Sequence, residues 1–517
     1  MDTPIATNSL VLGRILSRQA RYRPDHPAVV FEDERLSYAA FNAVVNRWAN
    51  ALSGLGIGRG DRVATVLPNC LEGLATYWAC AKLGAAAVPL SSLLLEEGLV
   101  SLLSDARPKL IVSTAAFAAM LAAVRPRLAF APAIVLVDGE APDMPGYARL
   151  VAAASAAEPA DVAKAGDLVT LMYTSGTTGL PKGIMHTHFI RSMYAGLFAS
   201  SFRMAPESRV LQTGALVFNG AMVTMLPAFY CGASYHLHRQ FDPQAMVETI
   251  EREAITHIMV VPSQIIAMLS LPGFDPARLQ PLEMLLSLGA PLRQAQKDTL
   301  NRVLPDRLYE LYGVTEGFIT VLDRTDAVRK AGSVGIPPPF YEMRILDEQG
   351  RECAAGDVGE IVGRGPVSMP GYAGRDDLTA ETLRDGWVFT GDLGYVDADG
   401  YLFLVDRKKD MIDSGGVKVY PKDIEEIAST HPSVREAAVF GIPHERWGET
   451  PLAAVILHAG ESVSSEALCD WINARVAARY QRVDRVVIMP DFPRNAAGKT
   501  LKRDLRLPYW EGRRQKI

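Results

Sequence analysis

Short apolar runs bounded by Gly, Pro, Asp or Ser recur through the first part of the chain and alternate with longer amphipathic stretches. Runs at residues 62–67, 85–90, 109–113 and 133–138 read as buried strands, and 70–83 between the first two reads as a helix. Upstream, residues 10–54 suggest a helix, a strand pair at 28–36 and a second helix starting near Ser37, whose hydroxyl suits an N-cap. Strands that alternate with helices in this way predict an α/β fold with a largely parallel sheet covered on both faces. Four later runs, 168–172, 257–261, 284–288 and 307–311, each end in a polar or glycine-bearing loop. Ligands of open α/β sheets bind beyond the carboxyl ends of strands, so these four loops are expected to line one crevice. From about residue 341 the pattern changes to short strands (343–346, 359–362, 387–389, 401–405), with a hairpin turn at 397–400, and predicts a β-rich subdomain. Beyond Lys409 a charged cluster beside Gly415 and Gly416 suits a hinge, with the rest of the chain a small α+β domain. The expected division is 1–408 and 409–517.

The loop after 168–172 carries the densest chemistry. Gly176 and Gly179 let the backbone approach a bulky anion, and the hydroxyls of Thr174, Ser175, Thr177 and Thr178 offer donors to phosphate oxygens. Lys182 adds a mobile positive charge. This is not a Walker A loop, which needs Gly-Lys-Ser/Thr; here Lys182 stands between Pro181 and Gly183. For this loop alone, a solvated Ser/Gly linker is the competing reading. Glu316 follows a glycine turn and offers a hard oxygen ligand to magnesium, or is a solvated loop carboxylate. Tyr312 either stacks on a base or packs in the core. Asp392 can accept from both hydroxyls of a ribose and Arg407 can donate to the sugar or a phosphate, unless the two form a surface ion pair. Lys499, in a turn after Pro493, is by itself only a loop lysine. The spacings His186-x-His188 and His236-x-His238 would pair imidazoles on a strand face, but no acidic or thiol partner accompanies them, so packing or capping is expected.

Composition narrows the class. The 517 residues exceed a single core, and 49% hydrophobic with 21% charged residues is ordinary globular composition. A net charge of -5 argues against a nucleic-acid partner. Cys70, Cys80, Cys231, Cys353 and Cys469 are far apart and form no CxxC pair, which suits a reducing, cytoplasmic setting. Neither a leader pattern, a peroxisomal address nor a membrane-spanning apolar run is read.

Taken together, residues 173–182, 312–316, 386–392, 406–410 and 493–499, in that order, resemble the motifs of the adenylate-forming superfamily: acyl- and aryl-CoA ligases, adenylation domains of peptide synthetases, and beetle luciferases. The resemblance covers nearly the whole chain. It implies a large N-terminal domain of parallel α/β subdomains plus a β-rich subdomain, and a small mobile α+β C-terminal domain. It assigns the loop from Thr174 to Lys182 to the β- and γ-phosphates of ATP. Gly289, Ala290 and Pro291, with Tyr312 and Gly313, go to the adenine, and Thr315 and Glu316 to the α-phosphate and Mg²⁺. Asp392 and Arg407 go to the ribose. Lys499 is implied to bridge the substrate carboxylate and α-phosphate, and Lys499, Glu316 and Thr174 are the catalytic candidates. Lys409 falls at the hinge position between two half-reactions.

Substrate choice is where the chain departs from the family it resembles. Within 215–220, either Phe218 fills an aromatic gating position or Asn219 replaces a histidine, and no aspartate is present for an amino group. Asn219 either hydrogen-bonds a hydroxyl on an aryl acid or caps backbone. With Val217, Met222, Leu288, Val314, Phe318 and Ile319 around it, an apolar or aromatic monocarboxylate is expected. Asp413 stands where relatives often carry lysine at the coenzyme A site. The expected activity is an AMP-forming acyl-CoA ligase using ATP, Mg²⁺, coenzyme A and a small carboxylic acid; a homodimer is compatible with it. The alternatives are loading of a carrier-protein phosphopantetheine and a catalytically silent nucleotide binder.

Overall fold

The apolar runs become strands of two sheets in the computed structural model, which describes residues 10–173, 181–494 and 500–511. One sheet has six strands in the order Ala133–Leu136, Leu110–Ser113, Arg62–Val66, Ala86–Leu90, Leu168–Tyr173 and Gly183–Thr187, all parallel except the last. The other has eight, in the order Ile319–Leu322, Leu308–Gly313, Met284–Leu288, His257–Val260, Arg209–Gln212, Ser234–Leu237, Pro27–Phe31 and Glu34–Ser37. Its six inner strands are parallel, and both edge strands antiparallel. The expected α/β class holds, with two largely parallel sheets rather than one. The expected run at 307–311 extends to Gly313, and the chain then turns back through Ile319–Leu322.

Local signals set the helix ends. Ser37 Oγ accepts from the Ala40 amide at 3.3 Å to start Tyr38–Gly54. Cys70 Sγ accepts from Gly73 N–H at 3.4 Å to start Leu71–Leu83, and Gly84, at φ 67°, ends it in the left-handed conformation that glycine adopts without strain. Leu71–Leu83 is apolar on nearly all sides, and it is buried accordingly from Leu74 to Leu83. At the centre of the main core the Phe229 ring meets those of Trp78, Phe41, Tyr235 and Tyr38 at centroid distances of 4.9, 5.7, 5.8 and 6.1 Å. A Phe229→Ala variant is expected to lose about 3–5 kcal/mol and to melt several degrees below the parent by scanning fluorimetry. An unchanged midpoint would show that this cluster is not a stability centre.

Contacts divide the chain into Met1–Met343 with Gly363–Val388, and Arg344–Val362 with Phe389–Ile517. The 408/409 position falls inside the second unit. There, Val434–His444 and Gly448–Leu457 pair antiparallel with Val439 opposite Ala453. Alternation along these strands sends Val439, Ala453 and Val455 toward Ile424, Ala428, Leu468 and Ile472 of helices Pro421–Ser429 and Ser465–Asn473. It sends Phe440, Ile442, Leu452 and Ala454 to the opposite face with Leu505 of Lys502–Trp510. This is the α+β arrangement expected after the hinge. The turn at 397–400 joins Trp387–Val396 to Leu402–Arg407, with the Asp397 carboxylate accepting from the Asp399 and Tyr401 amides at 3.0 and 2.9 Å. No described helix is long and apolar enough to cross a membrane.

Candidate functional site

In the first unit the polar loops follow the strands Leu168–Tyr173, Met284–Leu288 and Leu308–Gly313. The loop residues Thr174, Ser175, Gly176, Thr177, Thr178 and Gly179 lie outside the described residues, as does Lys499. Lys182, just past that loop, is half-buried, with its ammonium 5.5 Å from the centre of the Tyr372 ring. The Tyr372 hydroxyl donates to Glu316 Oε1 at 2.7 Å. Burial, reinforced by the Glu316 charge, raises the Tyr372 pKa well above that of a free phenol, so the ring stays a neutral donor. Tyr372 is set here by main-chain pairing: Met185 N–H donates to Gly371 O at 3.2 Å and Ala373 N–H to Gly183 O at 2.8 Å, which lays 371–373 along the edge strand Gly183–Thr187. Sequence reasoning passed over Tyr372, whose only local signal is an aromatic after a glycine.

Glu316 is fixed from behind as well. Its carbonyl accepts from Met369 N–H at 2.8 Å, and Gly317 has φ 114° where a Cβ would stand 2.2 Å from Val367 O, so only glycine fits. Among the described residues Glu316 forms no ion pair, and only its Oε1 is engaged by a side chain. A half-exposed carboxylate with one oxygen clamped and the other open fits a hard divalent cation such as Mg²⁺. Thr315 is adjacent, and its carbonyl accepts from His186 Nε2 at 2.9 Å. Tyr312 is half-buried with its ring edge-on to Phe318 at 6.4 Å, Gly313 is exposed, and Gly289 (φ 89°), Ala290 and Pro291 form an exposed turn after Met284–Leu288.

Asn219 opens the helix Asn219–Cys231, with Phe218 before it. A Cβ on Gly220 would lie 3.1 Å from Leu288 Cδ1, so this helix start rests on the end of the Met284–Leu288 strand. Phe218, Asn219, Leu288 and Val314 are half-buried, whereas Ile319 is 3% exposed and belongs to the main core. Asn219 Oδ1 accepts from Arg191 at 2.8 Å, and its amide nitrogen lies 3.3 Å from the Tyr194 hydroxyl. Arg191 has no signal in the sequence beyond being a charge within an apolar helix.

The histidine pairs do not share a strand face. His186 ends near Thr315, but His188 begins the helix His188–Ser201 and accepts from Leu12 N–H at 3.2 Å. His236 meets Ser234 Oγ at 3.2 Å, and His238, past the strand end, meets Thr249 Oγ1 at 3.0 Å. Burial lowers all four, His188 and His236 to about 4, so they stay neutral. Among the described residues no group of His, Cys, Asp and Glu is placed to hold a metal ion by itself.

In the second unit Asp392 and Arg407 are cross-strand partners, with Arg407 Nε 3.4 Å from Asp392 Oδ1. The strand expected at 387–389 extends through Asp392 to Val396, and Thr390 Oγ1 donates to Ile361 O at 2.7 Å while accepting from the Asp392 amide at 3.1 Å. The Asp392 side chain is 14% exposed and that of Arg407 40%, so the pair presents a mixed-charge edge. Lys409 is exposed, in a turn where the Asp410 and Met411 amides both donate to Arg407 O at 3.0 and 3.1 Å. Asp413 Oδ1 accepts from Gly416 N–H at 2.7 Å, closing the turn between Ile412–Ser414 and Val417–Val419.

Residues 16–373 match the family of AMP-binding enzymes, and 423–499 match the AMP-binding enzyme C-terminal domain. Feruloyl-CoA synthase of an Amycolatopsis species is 36% identical over 504 residues, covering 96% of this chain and 98% of that protein. The long-chain-fatty-acid–CoA ligase FadD13 of Mycobacterium tuberculosis is 34% identical, with 96% and 98% covered. The crystal structure of ATP-bound MatB from Rhodopseudomonas palustris superposes with a TM-score of 0.89 at 28% identity, covering 96% and 99%.

Proposed function

The chain belongs to the family of AMP-binding enzymes and is an AMP-forming acid–CoA ligase with ATP and coenzyme A as substrates; we propose that its acid is a monocarboxylate with an apolar or aromatic body, adenylated at the carboxyl ends of the first unit's strands. The observation that carries the placement is Glu316, clamped through one oxygen by Tyr372 beside Lys182, with Thr315 held by His186. Feruloyl and long-chain fatty acyl groups, the acids named for the two relatives, both have such a body.

In adenylation the acid's carboxylate oxygen bonds to the α-phosphorus of ATP as the bond to pyrophosphate breaks. Thr174 and its neighbours through Lys182 hold the β- and γ-phosphates, Thr315 the α-phosphate, and Lys499 the two approaching anions. Mg²⁺, with Glu316 as its protein ligand, supplies charge neutralisation to the phosphate oxygens. Gly289, Ala290, Pro291, Tyr312 and Gly313 contact the adenine, and Asp392 with Arg407 the ribose. Opening of the Asp392–Arg407 pair toward the two sugar hydroxyls exchanges a long, half-buried ion pair for charge-assisted hydrogen bonds. The thiol of coenzyme A then displaces AMP, with 409–517 turning about Lys409 between the steps.

The test is pyrophosphate release by the purified protein with ATP and Mg²⁺ over a panel of aryl, alicyclic and fatty acids, with and without coenzyme A. Sustained release that needs coenzyme A, with acyl-CoA identified by mass spectrometry, is the expected result. Release from polar or amino acids alone would overturn the proposed acid class.

A further inference from the structure

Arg191 is fully buried in the helix His188–Ser201, yet it forms no ion pair among the described residues. Its Nε donates to Thr170 Oγ1 at 3.0 Å, one terminal nitrogen to Asn219 Oδ1 at 2.8 Å, and the other to His186 Nδ1 at 3.3 Å; its guanidinium lies 5.0 Å from the centre of the Tyr194 ring. Every partner is neutral. His186 cannot supply a second charge, because its Nε2–H is given to the Thr315 carbonyl and its Nδ1 lone pair to Arg191. Buried charges are ordinarily paired, so a positive charge retained among neutral groups calls for an anion that arrives with a ligand.

The same contacts fix Asn219. Arginine is donor-only, so the Asn219 oxygen must face Arg191 and the amide N–H₂ must face away. One N–H points to the Tyr194 hydroxyl at 3.3 Å, which leaves the other as a donor on a half-buried residue. We propose that Arg191 is a positioning and specificity-determining residue of the acid site: it holds Asn219 as an obligatory donor to the acid's carboxylate oxygen and sets a buried, un-neutralised positive charge behind it. This rests on the ligase reading above. Asn219 touches the acid; Arg191 acts through Asn219 and through its charge. The chain Asn219–Arg191–His186–Thr315 also joins the acid to the nucleotide loop, so a carboxylate bound at one end meets a fixed phosphate contact at the other.

The decisive variant is Asn219→Asp, measured as KM for the best acid of the panel, KM for ATP, and thermal midpoint of the ligand-free protein. An aspartate would neutralise Arg191, so the midpoint is expected to hold or rise; it would also repel the carboxylate, raising KM for the acid about 10- to 100-fold with KM for ATP within about twofold. Arg191→Met should raise the acid KM in the same direction, and Arg191→Lys, which keeps the charge and loses the fork, should fall between. A purely structural role predicts the same midpoint behaviour but unaltered acid binding in Asn219→Asp, so the acid KM decides between them. An acid KM unchanged in that variant, or acid and ATP KM raised equally, overturns the proposal while leaving the ligase reading intact. Wild-type protein that releases no pyrophosphate with any acid overturns both.

Discussion

Replacing Lys499 with alanine is expected to slow pyrophosphate release about 10²- to 10³-fold without changing the thermal midpoint. Adenylation drives a carboxylate against a triphosphate, and their mutual repulsion is greatest as the new bond forms. In a water-poor site, a positive charge between the two oxygens acts more on that transition state than on either bound substrate. Lys182 stands over Tyr372, and Arg191 is sealed behind Asn219. Thioester formation from a synthetic acyl-adenylate should change much less in the same variant, because the anion–anion approach is over once the adenylate exists. Pyrophosphate release at the parent rate, or equal losses in both half-reactions, would remove Lys499 from this role.

What the sequence made visible and what it hid divide along the range of the interactions. Runs such as 62–67 and 284–288 declare themselves as strands because a strand buried on both faces needs unbroken apolar residues, a local property. Their sorting into two sheets does not show, since it depends on which distant strands pair: Pro27–Phe31 lies beside Ser234–Leu237 and not beside Arg62–Val66. The strand expected at 387–389 runs on to Val396, because cross-strand pairing of Asp392 with Arg407 carries it past Gly391. Glu316 was legible through its glycine-flanked turn. Its clamp Tyr372 was not, because main-chain bonds to Gly183–Thr187 carry it there from fifty-six residues away. Arg191 is the same lesson in reverse: a charge in a helix suggests a solvent face, and only the structure shows Thr170, His186 and Asn219 converging on it in the interior.

Lys409→Pro should suppress acyl-CoA formation while sparing adenylation. The turn holding Lys409 is short and exposed, with two successive amides donating to the Arg407 carbonyl, which suits a position where a few dihedrals absorb a rotation. Such a swing would break contacts that include those across the turn, where Lys422 N–H donates to Asp406 Oδ2 at 3.0 Å and Lys422 Nζ to Leu404 O at 2.8 Å, while the Lys418 ammonium pairs with Glu348. Hydrogen bonds of this kind contribute about 0.5–3 kcal/mol each, small enough to be exchanged for contacts with coenzyme A and large enough to populate one orientation. Proline fixes φ near -65° and removes the rotation, leaving whichever half-reaction the frozen orientation serves. If that orientation serves adenylation, pyrophosphate should appear in a single-turnover burst close to the parent's, while conversion of a supplied acyl-adenylate to acyl-CoA falls at least tenfold, about 1.4 kcal/mol in barrier. Lys409→Ala is the control that keeps φ free and should retain both steps. Equal losses of the two half-reactions in the proline variant, or none in either, would take the hinge away from Lys409.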